Sequence, residues 1–197
     1  MMENETMNVI VCGVSGQGVS KTAEIIARAA LADGYDVKML PCGDFKAGGS
    51  SAVMIKYGSS VASAEICRGE CDVLLALEKL ECARAIPKLR IAGAVYSSLT
   101  RIMPASLEKS GQPYPDEIFD NLAMLGIEAV AIDCDMICRM AENDRAAGVI
   151  LIGLASDKLG ITKESLRDAM NAALGEHDAK SSIKAFDIAV GLGKDGN

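Results

Sequence analysis

Apolar and polar positions follow two periods along this chain, and the switches between them divide it into strands and helices. Val9-Ile10-Val11-Cys12 is an apolar run of strand length, followed by Gly13-Val14-Ser15-Gly16-Gln17-Gly18. From Val19 onward, apolar residues recur at Ala23, Ile26, Ala27, Ala30 and Leu31, the spacing of one helix face. Asp33-Gly34 supplies the C-terminal stop of that helix. Tyr35 to Leu40 reads as a second strand, Pro41 to Gly49 as a loop, and Ser51 to Tyr57 as an alternating strand. The run Asp72 to Glu78 is almost continuously apolar and ends in an acid, as expected of a strand covered on both faces. Leu80 to Leu89 predicts a helix broken at Pro87, and Gly93 to Ser98 another strand. Thr100 to Pro115 reads as irregular, punctuated by Pro104, Gly111, Pro113 and Pro115. A helix over Asp116 to Leu125 and a strand over Glu128 to Ile132 follow. The last third predicts four helices: Met136–Ala141, Ala147–Leu159, Lys163–Leu174 and Ser181–Leu192. Asp133 is placed to cap the first of these, and Thr162 with Ser165 to start the third.

Strands alternating with helices predict an α/β fold, a three-layer Rossmann-like, mostly parallel sheet with helices on both faces and a helical C-terminal third. No repeat, linker or low-complexity segment interrupts the chain, so it reads as one domain over 1–197 with a flexible tail at 1–7. Doubly wound sheets meet their ligands at the carboxyl ends of the strands. Here those ends are the Gly13–Gly18 turn, the Pro41–Ser50 loop, Glu78 and Asp133.

Composition narrows the function classes. Of 197 residues half are apolar but only 4% are aromatic, so aliphatic side chains carry the burial. Twenty basic against 27 acidic residues give a net charge of −7, with no basic run, which disfavours nucleic acid and anionic membrane as partners. The start, Met1-Met2-Glu3-Asn4-Glu5, lacks the positive region of a secretion signal, and no apolar run reaches the roughly 18 residues of a bilayer span. A cytoplasmic protein is expected. Seven cysteines (Cys12, Cys42, Cys67, Cys71, Cys82, Cys134 and Cys138) include two C-x3-C pairs but no C-x2-C, and the sole histidine is His177. That pattern favours small buried hydrophobes over a metal site. Cys12 and Cys42 end what read as neighbouring strands and are expected close together, and His177 is expected at the surface between two helices.

The glycine cluster fits neither standard nucleotide motif. G-x-G-x-x-G would need glycine where Ser15 stands, and the phosphate loop would need lysine where Val19 stands, Lys21-Thr22 coming two residues late. Gly13, Gly16 and Gly18 form either an anion-receiving turn or a tight connection needing positive φ. Gln17 at its mouth is a candidate donor to a ligand or partner, with simple surface exposure as the alternative. In the second loop, Asp44 and Lys46 are the best charged candidates, and Gly48-Gly49-Ser50 turns the chain into the next strand. Taken together the candidate ligand- or partner-facing residues are Gly13, Ser15, Gly16, Gln17, Gly18, Asp44, Lys46, Gly48, Gly49 and Ser50, with no catalytic or metal-ligating residue singled out.

An ordered set of segments carries a family resemblance: GVSGQGV at 13–19, YDVKM at 35–39, Gly48-Gly49-Ser50, DVLLALE at 72–78, AIDC at 131–134, NDRAAGVILIGLA at 143–155 and IKAFDIAVGLG at 183–193. By these the chain resembles the gamma subunit or gamma domain of the 2-oxoacid (pyruvate, ketoisovalerate, indolepyruvate):ferredoxin oxidoreductases, and most of all the branch of the indolepyruvate enzyme's beta subunit. The resemblance implies a Rossmann-like unit, inactive alone, inside a complex that decarboxylates a 2-oxoacid and hands the acyl group to coenzyme A. It further implies thiamine diphosphate on alpha and beta partner subunits, iron–sulfur clusters on a ferredoxin-like one, and coenzyme A as a candidate contact of this chain. Isolated, the chain is expected to remain without cofactor and to be a candidate homo-oligomer.

Two departures from that family pattern stand out. Ser15 replaces a usual glycine, and Lys46-Ala47 stands where a Gln-Arg pair is usual, exchanging a rigid bidentate cation for a flexible point charge. They leave two alternatives: a free-standing NAD-type nucleotide-binding protein, and a non-catalytic scaffold subunit with the same fold. Against the first stands Leu40-Pro41-Cys42, where a ribose-binding acid would be required.

Overall fold

The computed structural model describes residues 6–43, 49–127 and 129–195. Its strands are β1 (Met7–Val14), β2 (Asp36–Gly43), β3 (Ser50–Gly58), β4 (Cys71–Ala76), β5 (Leu89–Ser98) and β6 (Ala129–Ile132). Met7 is therefore the first residue of a strand rather than the end of a tail. The helices are α1 (Val19–Ala32), α2 (Lys79–Ala85), α3 (Ala105–Ser110), α4 (Ile118–Met124), α5 (Cys134–Ala141), α6 (Ala147–Ala155), α7 (Lys163–Ala173) and α8 (Glu176–Asp195).

One mixed sheet takes the order β2-β3-β1-β4-β5-β6. β1, β4, β5 and β6 are parallel neighbours, while β3 runs antiparallel to both β1 and β2. Five strands thus share a direction and β3 opposes them. β2 and β3 form a hairpin, and β3 rather than β2 inserts beside β1. Cys12 and Cys42 are consequently not neighbours: each pairs with Ala52, one from either side. Two strand spacings, about 10 Å, separate them. β2 is an edge strand, which is where Pro41, lacking an N–H to donate, is tolerated.

Alternate residues of the central strands serve opposite faces. Val9, Val11, Val53, Ile55, Val73 and Leu75 pack with α1, α5, α6, α7 and α8 into the larger core. Ile10, Cys12, Leu74, Ala76 and Val95 pack with Cys82 of α2 and Ile118 and Leu122 of α4 into the smaller one. Helices cover both faces, as the α/β reading requires, but unequally. α6 is buried along nearly its whole length and apolar all round, the pattern of a helix enclosed by others. It lies so close to α8 that a Cβ on Gly153 would fall 2.7 Å from the Phe186 carbonyl oxygen.

Several boundaries differ from the sequence reading. The Leu80–Leu89 helix ends at Ala85, passes through a 3-10 turn at Ile86–Lys88 containing Pro87, and becomes β5 at Leu89. β5 starts early because Leu89 pairs with Cys71, after which the register shifts: three extra residues of β5 lie between that pair and Val73 with Ala94, and Ala92 among them has φ 59°. The segment expected to be irregular contains α3. α8 begins at Glu176, so His177 lies within a helix rather than between two. Asp133 does cap α5, accepting from the Asp135 N–H, and Thr162 caps α7, accepting from the Ser165 N–H.

Candidate functional site

The carboxyl ends of β1, β2, β4, β5 and β6 and the start of β3 share one edge. The glycine turn is built there by three separate requirements. Gly13 follows the last residue of β1 paired with β4 and sits in a tight space: a Cβ would lie 2.9 Å from Gln17 Oε1 and 3.0 Å from Leu77 Cβ. Gly16 and Gly18 have φ of 102° and 88°, the left-handed region that favours glycine, and open space where a Cβ would go. They serve the turn's backbone. Gln17 holds the turn shut: its Oε1 accepts from the Val14 N–H at 2.7 Å, and its Nε2 donates to the Leu77 carbonyl at 3.0 Å. The side chain expected at the mouth as a ligand donor is turned inward and joins β1 to β4.

The second loop is tied to the first through the backbone, Ser15 N–H donating to the Gly49 carbonyl at 2.8 Å. Asp44, Lys46 and Gly48 lie outside the described residues. Beneath Ser50 sits Glu81 of α2, whose side chain is 5% exposed. Its Oε2 accepts from the Ser50 hydroxyl, and its Oε1 pairs with Arg84. Glu78, 1% exposed, caps α2 by accepting from the Glu81 N–H at 2.9 Å. Its other oxygen accepts from Tyr114 OH at 2.5 Å and from the Ile102 N–H at 3.1 Å. Burial, and then the bond to Glu78, pushes the Tyr114 phenol well above its usual range and keeps it a donor. Glu78 thereby fastens the Leu99–Asp116 segment along the edge. Glu81 and Tyr114 escaped the sequence reading. Acids three residues apart at a helix start, Glu78 and Glu81, were the available signal for the first.

Next to the glycine turn lies a cleft of about 520 Å³. Gly16 to Gly18 and Lys21 form one wall, Asn143 to Arg145 another, and Leu174 with Gly175 a third. The first turns of α1, α6 and α8 all border it. Lys21 is held at the rim by Glu24 (2.8 Å) and the Ala173 carbonyl (3.1 Å). Asn143 shapes the opposite wall, accepting from the Arg145 N–H and donating to Ser181 and Ser182. Asp135, Asp144 and Asp178 outnumber the two lining cations, Lys21 and Arg145. The far wall falls within the NDRAAGVILIGLA segment, which the sequence marks as a family anchor but not as a wall of a site.

Burial holds the thiols near this edge in the protonated form at neutral pH, pushing Cys82 up to about 11 and Cys134 up to about 12 and raising Cys12 well above the usual value. Among the described residues no group of three or more His, Cys, Asp or Glu side chains is arranged to hold a metal ion. None of the described helices is long and apolar enough to cross a membrane. The strand that carries the ribose-binding acid of a dinucleotide fold lies beside β1, and here antiparallel β3 occupies that place.

Comparison with known proteins agrees with this architecture. The family model described as pyruvate ferredoxin/flavodoxin oxidoreductase matches residues 8–192. Indolepyruvate oxidoreductase subunit IorB of Methanothermobacter thermautotrophicus is 33% identical over 184 residues, covering 91% of this chain and 93% of that protein. The protein of the same description from Thermococcus kodakarensis is 26% identical, covering 95% and 96%. Among solved structures, the gamma subunit of a keto/oxoacid ferredoxin oxidoreductase from Geobacter sulfurreducens shares the fold. Its TM-score is 0.70 at 19% identity, over 96% of this chain and 99% of that one. A 2-oxoglutarate:ferredoxin oxidoreductase from Magnetococcus marinus, solved with 2-oxoglutarate, coenzyme A and succinyl-CoA, gives 0.73 at 20% identity; 98% of this chain covers 32% of that longer one. The chain belongs to the pyruvate ferredoxin/flavodoxin oxidoreductase family.

Proposed function

We propose that this chain is the gamma-type subunit of a thiamine-diphosphate-dependent 2-oxoacid:ferredoxin oxidoreductase, acting within a complex and on an indolepyruvate-type aryl 2-oxoacid. The observation that carries this reading is the 33% identity to an indolepyruvate oxidoreductase subunit along 91% of the chain. The edge geometry supports it. Glu78, Glu81 and Gln17 are engaged in holding loops, so what the described residues of this edge offer is a shaped surface bordered by the first turns of helices. In this reading the partner subunits carry thiamine diphosphate and the iron–sulfur clusters, the 2-oxoacid loses carbon dioxide, two electrons leave to ferredoxin and the acyl group passes to coenzyme A. This chain contributes the surface formed by the glycine turn, the second loop and the cleft. Ser15, Gly16, Gly18, Gly49 and Ser50 belong to that surface, and a cytoplasmic location goes with it.

Co-expression with a thiamine-diphosphate-binding partner, followed by a dye-reduction assay with indolepyruvate and coenzyme A, tests the reading. The expected result is turnover that disappears when this chain is omitted. Failure to co-purify with any such partner, together with tight calorimetric binding of NAD(H), would overturn it.

A further inference from the structure

Glu81 combines two properties that a purely structural helix residue rarely has together. Its carboxylate is almost fully buried, which is unfavourable by several kcal/mol unless charged hydrogen bonds compensate, and its contacts reach three strand ends at once. Oε2 accepts from the hydroxyl of Ser50, the first residue of β3. Its carbonyl oxygen accepts from the thiol of Cys12, near the end of β1, at 3.4 Å. Its N–H donates to Glu78, just beyond the end of β4. Arg84, half-exposed, supplies the countercharge from the same helix. Ser50 is the neighbour of Gly49, whose carbonyl receives the Ser15 N–H at 2.8 Å. The chain of contacts Arg84–Glu81–Ser50–Gly49–Ser15 therefore runs from a half-exposed guanidinium through a buried carboxylate to the junction between the two loops.

We propose that Glu81 is a positioning residue: through Ser50 it sets the spacing between the second loop and the glycine turn, and so tunes how the assembled enzyme binds its substrates. This rests on the oxidoreductase reading above. A neutral side chain could fill the same space. The carboxylate differs in orienting the Ser50 hydroxyl firmly, because a charged acceptor makes a shorter and stronger bond than a neutral one. Loss of that bond frees the Gly49 carbonyl, and the Ser15 N–H then loses its partner.

Two measurements on the full-length chain and its complex test the proposal. Hydrogen exchange on the isolated chain should show the Ser15 amide exchanging at least about tenfold faster in Ser50→Ala and Glu81→Gln, with Val9 and Val11 protected as in wild type. Ser50→Thr, which keeps the hydroxyl, should restore slow exchange. In the reconstituted complex, Ser50→Ala and Glu81→Gln should raise KM for the 2-oxoacid or coenzyme A severalfold with kcat within about twofold, and Ser50→Thr should return KM towards wild type. Unchanged Ser15 exchange in both variants, or equal losses in Ser50→Ala and Ser50→Thr, would overturn the proposal. A wild-type complex that turns over no 2-oxoacid would remove the functional reading, while the exchange result would still decide the Ser50–Glu81 link.

Discussion

Gln17 commits both ends of its amide to the backbone, one to the strand it follows and one to a strand 60 residues away. That makes its chemistry specific: one acceptor and one donor, on opposite sides of a half-buried carboxamide. Gln17→Ala should lower stability by about 1–2 kcal/mol, because the Val14 N–H and Leu77 carbonyl lose their partners in a poorly solvated place. Gln17→Glu should be at least as damaging at neutral pH, since a second carboxylate oxygen would face the Leu77 carbonyl. Urea-unfolding midpoints check both, and a Gln17→Glu midpoint equal to wild type would contradict the assigned bonds. The glycines around it were legible from sequence because their spacing is local. Gln17's role was not, because its decisive partner lies beyond the reach of any short motif.

Helix junctions show a similar division between local signal and tertiary outcome. Thr162 was legible as a cap from its position ahead of a helical pattern. The caps of α1 and α7 are also joined, which was not legible. Asp33, at the C-terminal end of α1, accepts from the Thr162 N–H at 2.6 Å, from its hydroxyl at 3.0 Å and from the Ser165 hydroxyl. Burial pushes the Asp33 carboxyl up, but the hydrogen bonds from Ser165 and Thr162 outweigh it and hold the group below the usual value. A carboxyl depressed in the folded state stabilises the fold above its ordinary pKa of about 4, and that contribution is lost as pH falls through the lower folded value. Asp33→Asn should therefore narrow the stability difference between pH 6 and pH 3 relative to wild type. Thermal melts across that window test it; parallel pH curves for the two proteins would argue against the link. Element boundaries around β5 were misread for a comparable reason, since its first residues pair through a bulge that no periodicity marks.

At the scale of the molecule, the α/β class and the edge where loops gather were legible, because a buried apolar run followed by a glycine turn and a helix has few other meanings. The order of the strands was not. A period of two announces a strand without naming its neighbour, so β2 read as the partner of β1 when β3 holds that place. The order has a consequence in time. β2 and β3 are joined by a short loop and can pair as soon as both exist, whereas β1 must wait for β3 on one side and β4 on the other, far along the chain. Distant pairings carry a larger loop-closure cost and form later. Pulse-labelled hydrogen exchange during refolding should find the amides shared by β2 and β3 protected before those of β1. Simultaneous protection of all three would show instead that the sheet condenses in one step. If β2 and β3 pair first, the most N-terminal of the six described strands is among the last to find its place.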